Sequence, residues 1–102
     1  MRRASKVDAN HAEIRDTLRK LGATVYDMSG VGRGLPDLLV TVRGKKNGRG
    51  RDLWVEVKDG RKPPSGRRLT KAQAVVHAAW EGAPIVVLTS VEQAVDWWRS
   101  ER

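Results

Sequence analysis

The chain has no cysteine and no phenylalanine, a single tyrosine, and only 12 acidic residues against 20 lysines and arginines. Without cysteine there is no disulfide, no thiolate nucleophile and no thiolate zinc site, and the redox character of the compartment is left open. Without phenylalanine, the four tryptophans must supply most of the aromatic packing. No apolar run exceeds a few residues, so neither a membrane-spanning helix nor a signal peptide is expected. The only histidines, His11 and His77, have no ligand partners at metal-binding spacing. Each is expected at the surface or at the boundary of the core.

What the chain does have is positive charge. Its 102 residues, 39% of them apolar, make one domain with a modest core, and the formal net charge is +8. The excess lies in patches: Arg2, Arg3 and Lys6; then Arg43, Lys45, Lys46, Arg49 and Arg51; then Arg61, Lys62, Arg67, Arg68 and Lys71. Such patches attract polyanions with an affinity that falls steeply as salt rises. DNA is the expected partner. No segment joins basic residues to a continuous apolar stripe, which argues against a membrane surface. An intracellular location follows as the default expectation for a nucleic-acid-binding chain.

Val7, Ile14, Leu18 and Leu21 recur at helical spacing, with Gly22 as a stop, which predicts a first helix from Ser5 to about Leu21. "ATVYDM" reads as a short strand and "SGVGRGLP" as a glycine-rich connection. "DLLVTV" and "DLWVEV" predict two antiparallel strands, joined by a long loop around Asn47-Gly48. "DGRKPPSGRR" predicts a mobile loop. A helix capped by Thr70 and closed by Gly82 follows, then "APIVVLT" as an all-apolar strand in the sheet interior. Ser90 and Gln93 start a last short helix that ends around Trp98 and Arg99. The order αβββαβα predicts an α/β fold, a mixed sheet flanked by helices, in one domain spanning 1–102.

Two carboxylates and a lysine interrupt the apolar strands. Side chains alternate along a strand, so Trp54, Glu56 and Lys58 share one face, opposite Leu53, Val55 and Val57. Asp37 stands at the entrance of the partner strand, just after Pro36. In an antiparallel hairpin that entrance pairs with the exit of the next strand, which would bring Asp37 and Glu56 together near Lys58. Two close carboxylates resist joint ionisation unless a cation neutralises them. A hard divalent ion suits this role, since magnesium often takes one or two carboxylates and keeps other positions for water and phosphate oxygens. Lys58 would then orient or help deprotonate an attacking water, or stabilise charge on the phosphate. The plainer alternative is an exposed Glu56–Lys58 ion pair with Asp37 as a turn residue.

The segments "LPD" and "VEVK" resemble the signature of the PD-(D/E)XK nuclease superfamily, here Pro36-Asp37 and Glu56-Val57-Lys58. The element order is similar to that superfamily's restriction-endonuclease-like αβββαβ core, with a short extra C-terminal helix. "GLPDLLV", "LWVEVKDG", "LTKAQ" and "GAPIVVLTSVEQA" together resemble the short stand-alone VRR-NUC branch, which is Holliday-junction-resolvase-like. The resemblance covers nearly the whole chain. It implies a Mg2+- or Mn2+-dependent endodeoxyribonuclease that hydrolyses phosphodiester bonds, with branched DNA such as a four-way junction as a substrate. It implies Asp37, Glu56 and the main-chain carbonyl of Val57 as metal ligands, Lys58 as the catalytic lysine, Glu13 as a further acidic group, and Gln73 as a site residue.

Some positions keep two readings. Asn10 and Glu13 have the spacing of a capping box, and Glu13 reads equally as an exposed helix residue. Thr70-x-x-Gln73 is itself a capping box, which gives Gln73 a structural role that can coexist with one in the site. Trp54 either packs or approaches DNA, whereas Trp80, Trp97 and Trp98 are expected to pack. Ser29 and Arg33 either contact a phosphate or belong to a simple turn. The glycines of "SGVGRG" lack the strand–loop–helix context of a dinucleotide fingerprint, so no organic cofactor is expected. Candidate DNA contacts are Arg33, Lys45, Lys46, Arg49, Arg61, Lys62, Arg67, Arg68 and Lys71. One small domain holds one apparent centre and a four-way junction needs two cuts, so a homodimer is expected. The rival readings are a DNA-binding module that does not cut and an accessory subunit of a replication or recombination complex.

Overall fold

The computed structural model describes residues 8–43 and 50–101. Its elements are α1 (His11–Lys20), β1 (Thr24–Asp27), β2 (Leu38–Val42), β3 (Arg51–Val57), a 3-10 turn (Pro64–Arg67), α2 (Lys71–Ala79), β4 (Val86–Leu88) and α3 (Val91–Glu101). They form a four-stranded mixed sheet in the order β1-β2-β3-β4. The first three strands are antiparallel neighbours, and β4 runs parallel to β3. That parallel step requires a crossover, which α2 supplies. Among the described residues, no helix is long and apolar enough to cross a membrane.

Period-two patterning decides which face is covered. Leu38, Val40 and Val42 of β2 are buried, and Leu39 and Thr41 between them are half-buried. Leu53, Val55 and Val57 of β3 fall on the same buried face, against Ile14 and Leu18 of α1 and Ala94 and Trp98 of α3. Full burial of each such aliphatic side chain contributes roughly 1.5–3 kcal/mol, so this layer sustains the fold. The second face is only partly covered. There α2 lies over Glu56 through Gln73 and His77, and Trp80 at its end meets Trp54 edge to face at 5.7 Å. No residue of α2 is fully buried, and Val75 is 67% exposed.

Several expectations are corrected. β4 is an edge strand of three residues, and Val87 is 40% exposed. An apolar run reads the same on an edge as in an interior; here only Leu88 is buried, while Val87 stays exposed. α1 begins at His11, and Asn10 stands at its N-cap position without a side-chain cap bond. Instead Asn10 Nδ2 donates to the Lys58 and Thr89 carbonyls, both at 3.0 Å. α2 ends at Ala79, before Gly82, where Trp80 turns to extended backbone. α3 runs on to Glu101, whose carboxylate accepts from Arg51 at 2.9 Å. The segment expected to be a mobile loop contains the 3-10 turn.

His11, expected at the surface or boundary, is buried, with Nε2 3.0 Å from Asp27 Oδ2. Asp27 also accepts from Arg15 and from the backbone and hydroxyl of Ser29. Against the opposing effect of burial, the hydrogen bonds from Ser29, His11 and Arg15 hold its carboxyl well below the usual range. Ser29 therefore serves this turn. The start of the first expected helix with Val7, and the Asn47-Gly48 turn with Lys45, Lys46 and Arg49, lie outside the described residues.

Candidate active site

The hairpin register assembles the site. Leu38 pairs with Val55, so the next residue outward on each strand places Asp37 opposite Glu56. Asp37 Oδ2 accepts the Val57 backbone N–H at 2.8 Å, which ties the entrance of β2 to the exit of β3. The loop before Asp37 reaches this point through consecutive left-handed residues, Gly32, Arg33 and Gly34, at φ of 72°, 58° and 83°. Gly34 also lies against the first turn of α2, where a Cβ would collide with the Ala72 carbonyl. The same contact thus fixes the Asp37 loop and the helix that carries Gln73.

Glu56 is 0% exposed. Burial, then its hydrogen bond to Asp37 and repulsion by that carboxylate, push its pKa up to about 9, against the opposing pull of Lys58. The metal-free site therefore keeps a proton on Glu56 beside Asp37 at neutral pH. Lys58 is buried and donates to Gln73 Oε1 at 2.7 Å. Gln73 completes the capping box with Thr70, accepting from Thr70 N–H at 2.8 Å, and its Nε2 donates to Glu56 Oε2 at 3.0 Å. One amide thus caps α2 and lines the cleft. On the next turn of α2, His77 Nε2 stands 3.4 Å from Glu56 Oε1. Burial and then the Lys58 charge push the His77 pKa down, which leaves the ring neutral at neutral pH.

Asp37, Glu56, Lys58 and Gln73 line an open cleft of about 530 Å³, with Lys62 and Arg68 also on its wall. Asp8 lines it as well, and its Oδ1 accepts from Lys62 at 2.9 Å. Glu13 is exposed on α1 and is not among the lining residues. Arg33, Arg61, Arg67 and Lys71 are exposed and also lie outside the lining. Arg61 is held by Asp59 through two guanidinium contacts at 3.0 and 3.1 Å.

Asp8, which lines the cleft, and His77, which meets Glu56 outside that lining, are the residues to which the sequence pattern assigned no site role. His77 had a signal, since it lies four residues after Gln73 and so shares its helix face. Asp8 had none, because it precedes α1 and meets the cleft only through the tertiary fold.

The donor set fits a hard divalent ion. Two adjacent carboxylates that resist joint ionisation are stabilised by a cation, and oxygen donors match the preference of magnesium or manganese. Among the described residues, no group of three or more His, Asp or Glu side chains is placed to cage a metal. An ion here would rely on Asp37, Glu56, main-chain oxygen and water. Compared with known protein families, characterised proteins and solved structures, the chain shows no match. The functional reading therefore rests on the cleft itself.

Proposed function

We propose that this chain is a divalent-metal-dependent endodeoxyribonuclease of the PD-(D/E)XK kind, in its VRR-NUC-like form, that hydrolyses phosphodiester bonds. The observation that carries the reading is the meeting of Asp37, Glu56 and Lys58 in one cleft with Lys62 and Arg68 on its wall. Neither an exposed ion pair nor a turn residue accounts for it, because Glu56 and Lys58 are buried and Asp37 bonds across the strand exit.

Asp37, Glu56 and the Val57 carbonyl would hold the ion, which supplies charge to polarise the phosphodiester and an activated water. Lys58, already directed along the cleft wall by Gln73, orients that water or stabilises charge developing on the phosphate oxygens. Gln73 keeps Lys58 and Glu56 at fixed separation, so a shift of the helix start would misplace both. Lys62 and Arg68 attract the DNA backbone without reading sequence. A four-way junction is the proposed substrate, cut by a homodimer that presents two such clefts.

Wild type, Asp37→Ala and Lys58→Ala are incubated with linear, supercoiled and four-way-junction DNA, with and without Mg2+ or Mn2+. Only wild type should cut, and a chelator should abolish cutting. Equal cleavage by all three proteins would place the activity elsewhere. DNA binding with no cleavage under any ion would favour the non-cutting module.

A further inference from the structure

Both oxygens of the buried Glu56 carboxyl face α2. Gln73 Nε2 is 3.0 Å from Oε2 and His77 Nε2 is 3.4 Å from Oε1. The two side chains are four residues apart, about one helical turn, so a single helix face presents them at successive levels, and the neutral His77 ring in its Nε2–H tautomer is a second donor once Glu56 is ionised. We infer that His77 is a positioning residue that, with Gln73, clamps the Glu56 carboxylate in the orientation that binds the divalent ion. The inference rests on the nuclease reading and adds to it a residue that does not touch the substrate.

His77 is absent from the cleft lining, so it stands behind Glu56 rather than before the phosphate. Its side chain is 17% exposed, which restricts water from replacing it as a donor. A carboxylate held at only one oxygen can swing about its last bond, since terminal sp²–sp³ torsions are broad. A second donor removes that freedom. Partners of this kind behind a metal ligand change metal affinity by about 10- to 100-fold when removed.

The experiment measures Mn2+ affinity, by the loss of the free-ion electron paramagnetic resonance signal, for wild type, His77→Leu, His77→Ala, His77→Gln and Glu56→Gln. Wild type should bind Mn2+ and Glu56→Gln should bind it far more weakly. His77→Leu and His77→Ala, which lack a donor, should bind about tenfold more weakly than wild type. His77→Gln, which restores an N–H donor, should return to within about threefold of wild type. Two donor-less variants of different volume separate loss of the donor from a packing fault, and metal-free thermal unfolding identifies a variant that does not fold. Wild-type affinity in the donor-less variants that fold would overturn the clamp and leave the nuclease reading standing, as would a Gln variant as weak as the Leu one. Equal binding by wild type and Glu56→Gln would overturn both.

Discussion

The Lys58 ammonium donates to Gln73 Oε1 at 2.7 Å, and the same oxygen accepts the Thr70 backbone N–H that begins α2. One amide therefore starts a helix, holds a buried cation and, through its nitrogen, binds Glu56.

Replacing that amide separates the roles. Glu is as good as Gln in a capping box, so Gln73→Glu should keep helix stability while setting an acceptor against Glu56 Oε2. Gln73→Ala should also lose the acceptor for the Thr70 backbone N–H, at a cost of about 1 kcal/mol, while the Thr70 hydroxyl keeps its bond from the residue-73 backbone. Both variants should cut DNA about a hundredfold more slowly, because Gln73→Ala releases both Lys58 and Glu56, and Gln73→Glu keeps an acceptor for Lys58 but loses the donor that holds Glu56. Denaturant melts and cleavage rates give the two readouts. Wild-type cutting by Gln73→Glu would show that the nitrogen donor is irrelevant.

The raised Glu56 pKa has a stability consequence of definite sign. The folded, metal-free chain keeps a proton up to about 9 that the unfolded chain releases near 4.5. Between these values the folded state binds more protons, so its stability falls as pH rises, by at most about 1.4 kcal/mol per pH unit. Glu56→Gln has no such proton to lose. Melts with a chelator at about pH 5, 7 and 9 should show wild type losing ground steadily to Glu56→Gln. A constant difference between the two would mean that Glu56 ionises normally.

The sequence carried this site because β2 and β3 are written in period two, and a hairpin pairs the start of one strand with the end of the next. That logic places Asp37 against Glu56 without any tertiary information. Gln73 was legible as a cap, since Thr70 precedes it by three. By contrast, Asn10 bonds Lys58 and Thr89, 48 and 79 residues away, and no local pattern encodes such partners. The same holds for His11 with Asp27. β4 was misplaced for a different reason: hydrophobicity reports that a strand is apolar, and only topology reports that, among the described residues, no strand pairs with its outer edge.

Gly34 offers a test of how the Asp37 loop is held. At φ +83° an alanine is strained, and its Cβ would strike the Ala72 carbonyl and come within 2.9 Å of Gln73 N. Gly34→Ala should cost about 2 kcal/mol or more and should also slow cleavage, because Asp37 and Gln73 are pushed apart. Gly30 is the control, with nothing within 4 Å of a Cβ built there. Gly30→Ala should stay within about 0.5 kcal/mol of wild type. Equal losses in the two variants, measured by denaturant unfolding, would dismiss the loop–helix contact as the cause.

Among the described residues, Lys62 and Arg68 line the cleft beside Lys58 and other basic residues lie outside it, and DNA binding should follow that division. Arg68 lines the cleft, whereas Arg61 is outside it and paired with Asp59. With a chelator present to prevent cutting, Arg68→Ala should lower the slope of log affinity against log salt by about 1, the signature of one lost phosphate contact. Arg61→Ala should leave the slope unchanged. Lys62→Ala is expected to weaken binding more than Arg68→Ala, because it removes a cation and also leaves the Asp8 carboxylate unpaired at the cleft. Titrations of labelled DNA at several salt concentrations distinguish these outcomes. A slope lowered equally by Arg61→Ala and Arg68→Ala would move the DNA path off the cleft and onto the open surface beside it.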